Sequence, residues 1–282
     1  MSAKAPGALA EIRQRIDAID AEMHRLLIER SAVIDQLIHL KGIGAPAAAF
    51  RPDREALMMR GLVMRHEGIL PLATVEHIWR EVISTFTAMQ APFHIMIAEA
   101  PDRAAFQDLV RFQFGFSVPA EEAGSDAAAV EKLRADEGFI AIFSPYSSGG
   151  WWRQIGPDEN IQIFARLPFI ITPDHPVQAE AYVAGPRLAA STEADIRLVR
   201  MQASGPFART LAAFNGRVIA SETVDGGEEI LAEIPDALTH DELVAEGARR
   251  GATFSEPVIL GSFAAPIRFV AAEAEESEEE TT

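Results

Sequence analysis

The chain contains no cysteine. Disulfides, zinc–thiolate sites and thiol nucleophiles are therefore excluded, and the composition suits a reducing compartment. Long apolar runs are also missing. None approaches the roughly 20 residues that cross a bilayer, and the opening stretch MSAKAPGALAEIRQR has no apolar core of the signal-peptide kind. A cytoplasmic protein without membrane association is expected. Positive charge is scarce, with 25 Lys and Arg against 42 Asp and Glu and a net charge of −17. A body this acidic repels nucleic acid and anionic membranes. Any anionic ligand must be met by a local cationic pocket.

The charge is unevenly spread. Residues 1–92 hold eleven Lys/Arg and eleven Asp/Glu, so all of the excess lies beyond Pro92. Part of it is the run from Glu273 to Glu280, which has too little apolar surface to fold. Residues 271–282 are expected to form a disordered acidic tail. What the chain does have is core material: 48% of its 282 residues are hydrophobic, enough for two or three domains.

From Leu9 to about Lys41, apolar residues fall at Ile12, Ile16, Ile19, Met23 and Leu26, then at Val33, Leu37 and Leu40. Steps of four and three mark one face of a long amphipathic helix, which Gly42 to Pro46 should end. At ~1.5 Å per residue the rod is about 50 Å long, against a radius of gyration near ~13 Å for a domain of this size. Its own chain cannot bury it. A second helix is expected from Pro52 to about Glu67. A third runs from Pro71 to about Gln90, with Val75, Ile78, Trp79, Val82, Ile83 and Phe86 on its apolar side.

After Pro92 the pattern alternates. Strands are expected at 94–99, 116–120 and 139–143 and helices at 102–114 and 127–134, with further extended segments at 161–171 and 179–183. This is an α/β pattern. Residues 196–263 then read strand, helix, strand, strand, helix, strand, the ferredoxin-like order. The expected architecture is multidomain. An all-α three-helix domain over 1–92, forming an intertwined dimer, precedes an α/β domain over 93–186 and a ferredoxin-like α+β domain over 187–270.

One cation interrupts the stripe of the first helix. Continuing from Leu26, the next apolar position is Arg30, after which Val33 resumes the pattern. A buried guanidinium needs an anion, either a carboxylate of the protein or a ligand, unless it reaches out to solvent. Lys41 lies eleven residues on and projects from nearly the same face. Arg13 is seventeen residues before Arg30, about 25 Å away along the helix. It either remains a solvated surface charge or meets the Arg30 of an antiparallel second copy. Arg51, Arg54 and Glu55 open the second helix, where first-turn acids also suit the helix dipole. Gln90 extends the row of Val82 and Phe86. Trp151-Trp152 beside Gly149-Gly150 either line a pocket or pack in the core.

The segments IRQRIDAIDAEMHRLLIERSAVIDQLIHLK, FRPDREALM and IWREVISTFTAMQ, together spanning residues 9–91, resemble the all-helical chorismate mutases in order, spacing and charged positions. The resemblance implies substrate contacts at Arg13 (from the neighbouring subunit), Arg30, Lys41, Arg54, Glu55 and Gln90. Among these, Arg30, Lys41 and Gln90 are the catalytic set. It implies a homodimer, chorismate as the small dicarboxylate substrate, and neither cofactor nor metal. Two positions depart from enterobacterial members: Arg51 stands where they have Asp, and Phe86 where they have Ser. The order of regions is similar to bifunctional chorismate mutase–prephenate dehydratases, which end in an amino-acid-sensing ACT domain. The dehydratase Thr-Arg-Phe tripeptide is absent, and Ser144 to Gly150 stands where an Glu-Asn-Ser-type motif would be. A degenerate, non-catalytic C-terminal half is therefore expected. Two rival functions stand beside it: isochorismate-pyruvate lyase, which uses the same helical scaffold, and a non-catalytic sensor in which the helical part only dimerises and the C-terminal half binds an amino acid.

Overall fold

The computed structural model describes residues 6–41, 50–188 and 194–269. The expected helix stop at Gly42 to Pro46 and the acidic tail at 271–282 lie outside the described residues. The chain divides into two compact units, Met1–Gly44 and Ala45–Thr282.

The first unit is a single helix, α1, spanning Pro6–Lys41. On its polar face Arg25 bridges Glu22 and Glu29, one turn to either side, at 2.7 and 2.8 Å. Exposed pairs of this kind add little stability. Along the stripe Ile12, Ile16, Ile19, Met23, Leu26 and Val33 each keep 50% or more of their surface exposed. A helix gains most of its stability by burying such a stripe.

The second unit opens with α2 (Pro52–Arg65) and α3 (Leu72–Gln90). Phe50, buried just before α2, packs edge-on against Phe93 with ring centroids 4.8 Å apart, which ties the start of α2 to the end of α3. An alternating region follows: β1 (His94–Ile97), α4 (Arg103–Phe114), β2 (Ala120–Glu122), α5 (Asp126–Ala135), β3 (Phe139–Phe143), α6 (Trp151–Gln154), β4 (Ile161–Leu167), β5 (Ile170–Ile171) and β6 (Ala181–Pro186). The remainder is β7 (Ile196–Ser204), α7 (Phe207–Ala212), β8 (Arg217–Val224), β9 (Gly227–Pro235), α8 (His240–Arg250), β10 (Thr253–Phe254), β11 (Val258–Phe263) and β12 (Ile267–Arg268).

One sheet crosses the whole second unit in the order β2-β1-β3-β6-β4-β11-β7-β9-β8, with β10 beside β7. Strands β1, β2 and β3 are parallel. Every residue of β3, Phe-Ile-Ala-Ile-Phe, is buried, as expected of a strand covered on both faces. The alternating region and the region from β7 onward meet at β4 and β11, where Gly261 faces Ile163. A Cβ on Gly261 would lie 1.9 Å from the Ile163 carbonyl oxygen, so only glycine lets the strands approach. A polar cluster flanks this seam. The Tyr182 hydroxyl donates to Glu233 at 2.6 Å, and Arg166 pairs with Glu180 at 2.7 Å and Glu233 at 3.4 Å.

Two expected elements shift. The strand placed at 116–120 forms instead at Ala120–Glu122. Gly115 ends α4 with φ +69, and Phe116 is left 75% exposed, so the chain travels past solvent before it pairs. The extended segment 161–171 is broken at Pro168, which has no N–H for the ladder. Beyond it β5 leaves the large sheet and pairs with β12. Among the described residues, no helix is long and apolar enough to cross a membrane.

Replacing Gly261 by Ala should lower stability by about 1–3 kcal/mol through overpacking at the seam. Gly7, where an added Cβ meets nothing within 4 Å, is the control site. Thermal unfolding of Gly261→Ala and Gly7→Ala decides the point: equal midpoints would show that the strands have room.

Candidate active site

The chemistry of the second unit concentrates where α2 and α3 pack over the sheet. The residues α3 buries are not those of a plain apolar helix: Glu76, Arg80, Ser84 and Thr87 are inside together with Ile83 and Phe86, while Ile78, read as core, is 48% exposed. Positions 76, 80, 84 and 87 recur at helical spacing, so one face is a polar row. Arg80 is the centre of it. Its guanidinium lies 3.4 Å from Glu76 on its own helix, 3.7 Å from Glu55 on α2, and 5.9 Å from the ring centre of Phe169.

Charge here is out of balance. Two carboxylates face one guanidinium away from water, where unpaired charge is expensive. Burial pushes the Glu76 carboxyl above its ordinary range, with Arg80 and then His175 pulling the other way. Burial likewise raises Glu55, opposed by Arg80. The side chain of Glu76 is 1% exposed and that of Glu55 26%. Burial thus works against the charged form of both carboxyls, and Arg80 works for it. A narrow cleft borders the trio, lined by Glu55, Arg80, Ser84, Thr87, Phe93 and Phe164.

The sequence-predicted positions are distributed as follows. Arg13 and Arg30 lie on α1, and Lys41 is its final residue. Arg54 is exposed on α2, as is Arg51 just before it, and Glu55 is half-buried. Gln90 closes α3, half-buried, and donates its side-chain amide to the Phe86 carbonyl one turn back at 2.9 Å. Phe86 is buried. Within the second unit only Glu55 of these positions borders the cleft. Arg80 and Glu76 were not foreseen. As Glu and Arg four apart they look like an ordinary solvent-side helix pair. The small polar residues Ser84 and Thr87, continuing the same row, are the signal that this face is buried.

A second concavity lies at the carboxyl ends of β1 and β2, where open α/β sheets hold ligands. Its polar lining is Glu99, Arg103 and Glu122, the last two ion-paired. Asp126 begins α5, buried, and accepts from Ser147 at 2.5 Å. Burial lifts its carboxyl above the ordinary 3.8, with the Ser147 hydroxyl opposing. Trp151 is buried, stacks on Phe143 at 4.8 Å, and donates its ring N–H to the Ser144 carbonyl at 2.9 Å, while Trp152 is also buried.

Residues 12–91 match the family model for chorismate mutase type II. The match takes in under a third of the chain. Curated relatives extend the likeness in part. The bifunctional chorismate mutase/prephenate dehydratase of Neisseria gonorrhoeae is 40% identical over 83 residues, 29% of this chain and 22% of that protein. The Aquifex aeolicus protein of the same description is 29% identical over 142 residues, 48% of this chain and 38% of its own. The chain thus spans well under half the length of the relatives it matches. Solved prephenate dehydratases from Streptococcus mutans and Staphylococcus aureus cover 63% and 61% of the chain at 13% and 8% identity, with TM-scores of 0.35 and 0.41. Likeness that low assigns no activity, and none is taken from it.

The matched segment takes in α1 from Ile12 onward, α2 and α3, and the Glu55–Arg80–Glu76 trio falls within it, whereas Asp126 lies beyond. Because the folded-state pKa of Asp126 is raised, whatever stability its neutral form provides is present below 3.8 and is lost as pH rises through the higher folded value. Asp126→Asn, neutral throughout, should gain on wild type as pH rises from about 4 to 7. Melting temperatures of both proteins across that range are the check, and a constant gap would contradict the sign.

Proposed function

We propose that the protein is a chorismate mutase, converting chorismate to prephenate in aromatic amino acid biosynthesis, and that it acts in the cytoplasm as a homodimer. The observation that carries this is the family match over residues 12–91 together with the complete set of cations and acceptors at the substrate positions: Arg13, Arg30, Lys41, Arg54, Glu55 and Gln90. The reaction is a unimolecular pericyclic shift. No nucleophile is needed and no cofactor or metal is called for. The protein has to hold a compact diaxial conformer of a dianion and stabilise charge that develops on the breaking ether oxygen.

Arginine forks suit the first task. Arg30, with Arg13 from the second subunit, clamps the carboxylates. Lys41 and Gln90 donate to the ether oxygen, with Lys41 also reaching a carboxylate. Glu55 accepts from the ring hydroxyl and Arg54 supports the pocket. The side-chain amide of Gln90 already points one N–H at a backbone carbonyl, which holds it in place and leaves the other for substrate. The dimer reading draws support from the exposed apolar stripe of α1 and from the ~25 Å between Arg13 and Arg30, too far to share one ligand within a chain.

We assign the functional regions as 1–92 for the mutase, 93–186 for a degenerate dehydratase-like domain and 187–270 for an ACT-like domain. The antiparallel order β11-β7-β9-β8 supports a ferredoxin-like reading of the last. The degenerate reading of the middle region draws on its concavity, where Glu99 and Glu122 outnumber Arg103 and oppose a dianion, and on Trp151, which is committed to the core.

Purified full-length protein should convert chorismate to prephenate, form no salicylate from isochorismate, and leave prephenate unconverted to phenylpyruvate. Gln90→Ala or Lys41→Ala should lose about a hundredfold or more in kcat, on the order of 3 kcal/mol. Salicylate formation would favour the lyase, and inert wild type the sensor. Arg13→Ala and Arg30→Ala, each inactive alone, should regain activity when refolded together, because a mixed dimer holds one site with both arginines. Failure of the mixture to recover would remove the shared site.

A further inference from the structure

The trio around Arg80 is larger than packing requires. A structural ion pair needs one acid and one base, and buried pairs are often no more stable than apolar residues of the same shape. Here a nearly inaccessible guanidinium serves two carboxylates on different helices, and the more exposed of the two borders a cleft. The guanidinium also lies over the Phe169 ring, 5.9 Å from its centre. The groups facing the trio from its neighbours are few. His175 stands towards Glu76, and Arg166 and Gln113 line the adjoining part of the cleft.

We propose that Arg80 is a positioning residue for the mutase reaction: it fixes the Glu55 carboxylate and keeps it ionised, so that Glu55 can accept from the ring hydroxyl of the substrate. The inference rests on the mutase reading above. Its logic is electrostatic. Burial alone favours the neutral form of Glu55, which has one acceptor face fewer and a donor in the wrong place. The cation 3.7 Å away pulls against that preference, and Glu76, deeper and closed to water, is the trio's other place for a proton.

Removing Arg80 alone strands Glu76 in the core and endangers folding. The test therefore compares Glu76→Gln, which retains Arg80, with the double variant Glu76→Gln/Arg80→Gln, which keeps the core neutral while Glu55 loses its cation. In full-length protein, the acid limb of the kcat/KM profile for chorismate should move up by about 1 pH unit or more in the double variant relative to the single one. Rates on the plateau should recover far more than rates at pH 5. Glu76→Gln/Arg80→Lys, with the charge retained, should move the limb back towards the single variant. A loss of rate equal at all pH values, with the limb unmoved, would make Arg80 a structural residue and overturn the proposal. The carbon-13 titration of the Glu55 carboxyl, identified by its absence in Glu55→Gln, reads the same ionisation without turnover. If wild type leaves chorismate untouched, the mutase reading falls and the positioning role with it. If wild type turns over but the carboxyl titrates alike with and without Arg80, only the Arg80 proposal falls.

Discussion

A guanidinium held out of water between two carboxylates organises the second unit of this protein. Arg80 joins α2 to α3 through Glu55 and Glu76 and lies over Phe169 in the turn after β4. Each contact is long for an ion pair, yet Arg80 and Glu76 cannot reach solvent without opening the helix pair. Truncating one partner in such a setting typically costs about 3–5 kcal/mol, because the remaining charge stays buried. The same desolvation that makes the trio a liability makes the ionisation of its carboxyls depend on Arg80.

The rest of the unit is built around a continuous sheet, and its continuity depends on one residue without a side chain. Gly261 lets β11 lie against β4, and Tyr182, Arg166 and Glu233 close the seam with neutralised polar contacts. Burial drives the Tyr182 phenol well above its usual range, so the hydroxyl stays a donor to Glu233. The alternating region and the region that follows it are thereby welded into one hydrogen-bonded structure.

Much of the fold could be read from the residues. The apolar steps of α1 gave its length to within three residues, and Pro52 and the Val82–Phe86 row marked α2 and α3. Strand β3, five apolar residues between Gly138 and Ser144, announced itself by composition. Errors fell where local signals conflict with tertiary ones. Phe116 has strand propensity but follows a glycine in a left-handed turn, and the ladder begins four residues later. Ile78 fits the apolar face of α3 and is exposed, while Glu76 and Arg80 fit a solvent face and are inside.

Sequence alone determined the helical character of α1, α2 and α3 and the neutral charge of residues 1–92 against an acidic remainder. Those depend on residue type and on spacing along a helix, both of which are local. Which carboxylate is buried beside which cation was decided only by the tertiary structure, as was the sharing of one sheet across residues 93–263. Pairing of that kind is set by contacts between residues far apart in the chain, and for Arg80 by the removal of water that turns an ordinary surface pair into the controlling charge of the site.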